Sequence, residues 1–77
     1  MERYFRFVEL YKEVGKLIAK HRKEKGISQE KLADLADLHE DYIGKIERGE
    51  RKLTLQTLYN ILKTLEITPS DFFRNIE

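Results

Sequence analysis

The sequence feature that most constrains the fold is the stretch formed by residues 28–49. Apolar residues recur there with the spacing of a helix, and no alternating strand pattern of useful length interrupts them. The stretch predicts a helix from about Ser28 to Ala36, a tight turn, and a second helix from about His39 to Arg48. In this arrangement the second helix can be presented to another molecule, while the rest of the chain supports it.

Local signals mark the ends of these two helices. Ser28 is a typical N-cap residue, and Asp37 stands in the turn, where a positive φ is often required and Asp tolerates it at some cost. Gly49 is the natural residue to end the second helix. The buried positions are predicted to be Leu32, Leu35 and Ala36 in the first helix, and Ile43 and Ile46 in the second.

Three further helices are predicted around this pair. One begins within residues 3–10 and ends at Gly26, another has Thr54 as its N-cap, and a short last helix has Thr68 as its cap with Pro69 at its first position. The chain is therefore expected to form one compact, all-α domain of five helices over residues 1–77. Residues 1–14 either extend the first helix or fold back as an arm.

Composition argues against several classes of function. The chain of 77 residues has no Cys and only two His, far apart in sequence, so no metal site or disulfide framework is predicted. No Ser/His/Asp set or phosphate-binding loop is visible. No apolar run reaches the roughly 18 residues that suggest a membrane span, and no secretion signal is recognisable. We expect a cytoplasmic protein that is not an enzyme, without a cofactor or an evident small-molecule ligand.

Charge is nearly balanced overall but unevenly distributed. The formal net charge is only +1, although 38% of the residues are charged. Residues 16–25 contain five Lys and Arg against one Glu, and residues 45–52 contain four against two. The intervening residues 26–44 contain five acids against one Lys. Two basic segments therefore flank an acidic one, although the near-balance of the whole chain argues against a strongly basic nucleic-acid binder.

Four segments carry a family likeness: residues 22–33 (RKEKGISQEKLA), 42–49 (YIGKIERG), 58–65 (LYNILKTL) and 68–73 (TPSDFF). Their order and spacing resemble the Xre, or lambda-repressor/Cro-like, helix-turn-helix family over about residues 15–73. The small size resembles restriction–modification controller proteins and short repressors of phages and toxin–antitoxin operons. The resemblance implies a five-helix fold whose third helix enters the major groove of double-stranded DNA.

The resemblance also implies roles for individual residues. Gln29 matches a phosphate-binding position, Tyr42 a backbone-contacting position, and Arg48 and Arg51 positions that contact phosphates or bases. The positions that face base edges are Glu40, Asp41, Gly44 and Lys45. Arg22 and Glu47 match a pair that joins the first helix to the third. The region where two chains pair is matched by Leu65, Ile67, Phe72 and Phe73, and the aromatic residues near the N-terminus are a second candidate for that contact. His39 either caps or starts the third helix, or contacts a phosphate.

Two acids at the start of the presented helix depart from the family pattern. Glu40 and Asp41 either accept hydrogen bonds from cytosine or stabilise the helix through its dipole, and we expect one of them to serve each role. The leading hypothesis is a sequence-specific DNA-binding regulator that acts as a homodimer on an inverted repeat. The alternative is a protein-interaction module that keeps the fold without binding DNA, which the acidic segment and the low net charge favour.

Overall fold

Five helices in the computed structural model confirm the all-α prediction. The structure describes residues 7–76, with side chains from residue 9 onward. The helices are α1 (Phe7–Glu24), α2 (Gln29–Ala36), α3 (Glu40–Glu47), α4 (Leu55–Leu65) and α5 (Pro69–Phe73). Residues 7–14 belong to α1, as one of the two alternatives for the N-terminal segment predicts. The aromatic residues Tyr4 and Phe5 lie outside the described residues.

Side-chain caps set the starts of three helices where the sequence predicts them. The hydroxyl oxygen of Ser28 accepts a hydrogen bond from the backbone N–H of Lys31 at 3.0 Å. Thr54 and Thr68 cap α4 and α5 in the same way, each at 3.1 Å. Each cap satisfies a backbone N–H that has no partner inside its helix, which stabilises the helix by about 1 kcal/mol.

The turn between α2 and α3 depends on Asp37. This residue has a φ of 60°, the left-handed conformation that the sequence predicts for it, and its backbone N–H donates to the carbonyl oxygens of Ala33 and Asp34. Those bonds end α2 and reverse the chain, after which His39 begins α3 as its N-cap without a side-chain capping bond. A helix-turn-helix unit of the predicted extent is therefore present.

One core holds all five helices together. α3 packs on α1 and α2, α2 also packs on α4, and α5 packs on α4. The buried apolar side chains are those of Val14, Ile18, Leu32, Ala33, Ala36, Ile43, Ile46, Leu58, Ile61, Leu62, Leu65 and Phe72. The prediction for Leu35 is wrong: its side chain is 52% exposed. Ala33 takes its place, because the core-facing side of α2 is centred on Leu32 and Ala36.

The crossing of α1 and α3 requires a glycine that the sequence alone did not single out. A Cβ atom on Gly15 would collide with the carbonyl oxygen of Ile46 and would lie 2.8 Å from that of Glu47. Both obstacles are backbone atoms of α3, so neither can rotate away. Gly15 thereby lets the backbone of α3 lie directly against α1.

Candidate nucleic-acid interface

Burial of one side of α3 determines which side faces outward. Ile43 and Ile46 are 0% and 1% exposed, and they anchor the helix in the core. The opposite side presents Glu40, Asp41 and Lys45, all of them exposed. Three of the four predicted groove-facing positions therefore lie together on one outer face, whereas the fourth, Gly44, is buried.

A hydrogen-bonded network fixes α3 against the two preceding helices. The Arg22 guanidinium donates from Nε to Glu47 Oε2 at 2.7 Å and from Nη2 to Oε1 at 3.1 Å, which is the predicted ion pair in bidentate form. Arg22 Nη1 also donates to the carbonyl oxygen of Ile27 at 3.0 Å. Because side chains of this pair are only 11% and 6% exposed, the contact is a largely buried clamp at the C-terminal end of α3.

Gln29, at the first position of α2, joins the same network. Its Nε2 donates to Glu47 Oε1 at 2.9 Å, a bond that the sequence did not predict. The side-chain amide has two N–H donors, and this bond uses one of them. The remaining donor and the free N–H groups at the start of α2 suit an anion such as phosphate, so the phosphate contact predicted for Gln29 stays a prediction.

Arg48 follows α3 and folds back over it. Its Nε donates to Glu50 Oε2 at 3.1 Å, and its Nη1 lies 3.3 Å from the position that a Cβ on Gly44 would occupy. The hydrogen bond from Arg48 lowers the pKa of the Glu50 carboxyl, and the same bond raises the pKa of the guanidinium. Both partners are solvent-exposed and stay charged, so they form a surface ion pair beside the outer face of α3.

A second contact brings Tyr42 and Arg51 together. The guanidinium carbon of Arg51 lies 4.9 Å from the centre of the Tyr42 ring, within cation–π distance. Tyr42 is half-buried and Arg51 is exposed. The ring therefore holds a positive charge at the edge of the α3 face, where a DNA backbone contact is predicted.

Comparison with known proteins decides the family. The helix-turn-helix family model matches residues 18–72. The chain belongs to the helix-turn-helix family. Control protein C.SmaI from Serratia marcescens is 37% identical over 59 residues, which cover 77% of this chain and 70% of that protein. The family assignment places the chain among transcriptional regulators rather than enzymes, as the sequence predicted.

Solved structures of restriction–modification controller proteins share the whole helix-turn-helix fold. That of C.AhdI from Aeromonas hydrophila has a TM-score of 0.81 and 34% identity, covering 84% of this chain and 98% of that one. That of the C.Esp1396I tetramer with its natural 35-base-pair operator has a TM-score of 0.79 and 43% identity, covering 84% and 86%. The chain therefore shares its helix-turn-helix fold with these controller proteins over most of its length.

The acidic start of α3 lies beside an open groove. Glu40 and Asp41 are exposed and share with Glu30 and Asp34 of α2 the lining of a surface groove of about 680 Å³. His39 lies at the same edge. The acids that line the groove give the N-terminal half of α3 a negative local charge. The base-reading and helix-stabilising roles of Glu40 and Asp41 both stay predictions.

Burial within one chain limits which of the residues predicted for the dimer contact a second chain can reach. Leu65 and Phe72 are 6% and 0% exposed, because they fill the core beneath α4 and α5 of their own chain. A second chain cannot reach them without disrupting that core. Of the predicted set, Ile67 is partly buried and Phe73 is 40% exposed, so only these two stay accessible.

Among residues 7–76, no helix is long and apolar enough to cross a membrane. Within the same part of the chain, no group of three or more His, Cys, Asp or Glu side chains is placed to hold a metal ion.

Proposed function

We propose that the protein is a sequence-specific regulator of transcription that binds double-stranded DNA through α3. The observation that carries the proposal is the outer face of α3, clamped by Arg22, Glu47 and Gln29 and bordered by Lys45, Arg48 and Arg51. A helix of this size fits the major groove, and its exposed side chains can reach base edges. A related controller protein forms a tetramer on its operator, which supports the same class of ligand here.

The proposal includes a homodimer on an inverted repeat. Leu55, Tyr59 and Phe73 are 84%, 50% and 40% exposed. With Leu58, Leu62 and Pro69, they line an apolar groove of about 180 Å³ between α4 and α5. Exposed apolar patches of this kind mark interaction sites. We assign this α4–α5 patch to the twofold contact. A dimer that binds successive major grooves would need its two copies of α3 about 34 Å apart.

Replacing Leu55 with Lys is expected to shift the dimer toward monomer without unfolding the chain. The Leu55 side chain is mostly exposed in one chain, so a charge there stays solvated in the monomer but is desolvated in the contact. Sedimentation equilibrium should show dissociation of the dimer at concentrations where the wild type is dimeric. Leu35→Lys is the matched control, since Leu35 is a half-exposed leucine on α2. An unchanged dimer in Leu55→Lys, or a monomeric wild type, would contradict the assignment.

DNA binding is expected to depend steeply on salt and to weaken when the basic border is reduced. Arg51→Ala should lower affinity similarly for all duplexes and reduce the slope of log K against log salt by about 1. Lys45→Ala should relax selectivity at one base position. Affinity is measured by fluorescence anisotropy on mixed-sequence and selected duplexes. Arg74→Ala is the control, because Arg74 follows α5 and pairs with Asp71. Equal behaviour of all three variants would mean that α3 is not the binding face.

A protein-interaction module is the second candidate, and the acidic groove between α2 and α3 favours it. Carboxylates at the start of a recognition helix repel DNA phosphates and attract a basic protein surface. The two functions separate in the same anisotropy measurement. A steep loss of duplex binding with added salt supports DNA recognition, whereas no binding to any duplex in low salt supports the protein-interaction module. We also propose the cytoplasmic location that the sequence predicts, because a regulator of transcription must have access to DNA.

A further inference from the structure

Gly44 leaves open space in the middle of α3, where any other residue would have a side chain. Gly44 lies in the interior of α3, where glycine is unfavourable for helix stability. A Cβ at this residue would lie 3.3 Å from Arg48 Nη1 and 3.5 Å from Gln29 Oε1. Side chains on a helix lean toward its N-terminus, so a residue four positions later covers the earlier one. Arg48 therefore extends across the space that Gly44 leaves open.

Glu50 is the hydrogen-bond partner of this arginine. The bond to Glu50 uses the single N–H of Arg48 Nε. The four N–H groups on the two Nη atoms are not used by that bond. The side chain is bonded at Nε to Glu50, and its Nη1 atom lies next to the Gly44 position, so the guanidinium lies alongside the middle of α3. This arrangement differs from that of an arginine extending freely from a helix end toward the phosphates.

The charge distribution along α3 also favours a central role for Arg48. The first turn carries Glu40 and Asp41, which cannot donate hydrogen bonds when ionised. Guanine presents two acceptors, O6 and N7, in the major groove, and a bidentate arginine is the commonest specific contact to them. Lys45 can approach one acceptor as a point charge, but only a guanidinium offers two parallel donors.

We infer that Arg48 reads a guanine in each half-site and that Glu50 is its positioning residue. Gly44 supplies the space in which the guanidinium lies. This inference rests on the proposed function, since it requires α3 in a major groove. The family resemblance allows two roles for Arg48, contact with a phosphate or contact with a base. The inference selects contact with a base.

Parallel selection of duplexes from a random DNA pool by the full chain and by Arg48→Lys tests the inference. Lysine keeps the positive charge and loses the fork of donors. We expect the wild type to enrich a guanine at one position of each half-site. Arg48→Lys should enrich the other positions and lose that guanine. Replacing the same guanine with 7-deazaguanine, which lacks the N7 acceptor, should weaken wild-type binding by about tenfold and the variant little.

Glu50→Gln separates positioning from charge. This variant should keep Arg48 but discriminate several-fold less well between guanine and adenine at that position. Glu66→Gln is the matched control, because Glu66 is an exposed glutamate in a single ion pair with Lys25, and it should behave as the wild type. Circular dichroism confirms that each variant is folded.

Two results would overturn the inference, and they have different meanings. If Arg48→Lys enriches the same guanine and binds all duplexes more weakly, Arg48 contacts phosphate. If the wild type enriches no sequence, the proposed function itself fails.

Discussion

Gly15→Ala is expected to lower the free energy of unfolding by about 3 kcal/mol or more. The added methyl group meets the backbone carbonyl oxygens of Ile46 and Glu47, so α3 must move away from α1 as a whole. That movement would also separate Arg22 from Glu47. A small domain has only several kcal/mol of total stability, so the variant is expected to be partly or fully unfolded at 37 °C.

Urea unfolding at matched protein concentration measures the effect, with Gly44→Ala as the control. Gly44 is also a buried glycine in a helix, but a Cβ there meets only ends of the Arg48 and Gln29 side chains. Alanine is about 1 kcal/mol better than glycine inside a helix, so Gly44→Ala should unfold within about 1 kcal/mol of the wild type. If the two variants unfold at the same urea concentration, the close α1–α3 crossing is not as described.

Arg22→Met is expected to destabilise the protein by about 3–5 kcal/mol. The substitution leaves the Glu47 carboxylate largely buried, with Gln29 as its one remaining partner in the network, and it leaves the Ile27 carbonyl without its donor. The cost comes mainly from the buried unpaired charge. Arg22→Met combined with Glu47→Leu should therefore recover part of the lost stability, because it removes that charge as well.

Thermal and urea unfolding of the single and double variants check this prediction. Lys25→Met is the control, since Lys25 forms an exposed ion pair with Glu66 and exposed pairs contribute at most about 1 kcal/mol. If Arg22→Met costs no more than Lys25→Met, the pair does not clamp α3. The double variant should still bind DNA less well than the wild type, because Gln29 loses the acceptor that positions its amide.

Local chemistry explains why so much of the fold was predictable from sequence. Ser28, Thr54 and Thr68 cap their helices through bonds to residues three positions later, and the left-handed Asp37 ends α2 through its own backbone N–H. These interactions lie within one helical turn, so the residue types and their spacing contain the information needed. The helix order and the outer face of α3 follow from the same short-range patterns.

Features that depend on contacts between distant segments were missed or misjudged. The need for Gly15 arises from the backbone of α3, about thirty residues away, and helical periodicity gives no sign of it. Leu35 fits the apolar stripe of α2 as well as Ala33 does, and only the packing of neighbouring helices decides which one is buried. Likewise, Leu65 and Phe72 have apolar side chains that could cover either a core or a dimer contact.

For the candidate site as well, short-range features were predictable from the sequence and contacts between distant side chains were not. The family resemblance predicted DNA contacts for Tyr42, Lys45, Arg48 and Arg51, and the structure places these residues on or beside the outer face of α3. It gave no sign that Glu50 bonds to Arg48 or that Gln29 bonds to Glu47, since both depend on side-chain directions after the helices have packed. A glycine at Gly44 four residues before an arginine is the one signal that could have suggested that Arg48 folds back.

Selection of bound duplexes by the wild-type protein from a random pool of double-stranded DNA tests the central claim most directly. A homodimer that presents two copies of α3 to successive major grooves is predicted to enrich an inverted repeat. The half-site centres should lie about 10 base pairs apart. Enrichment of no sequence at low salt, from protein shown to be folded, would contradict the account.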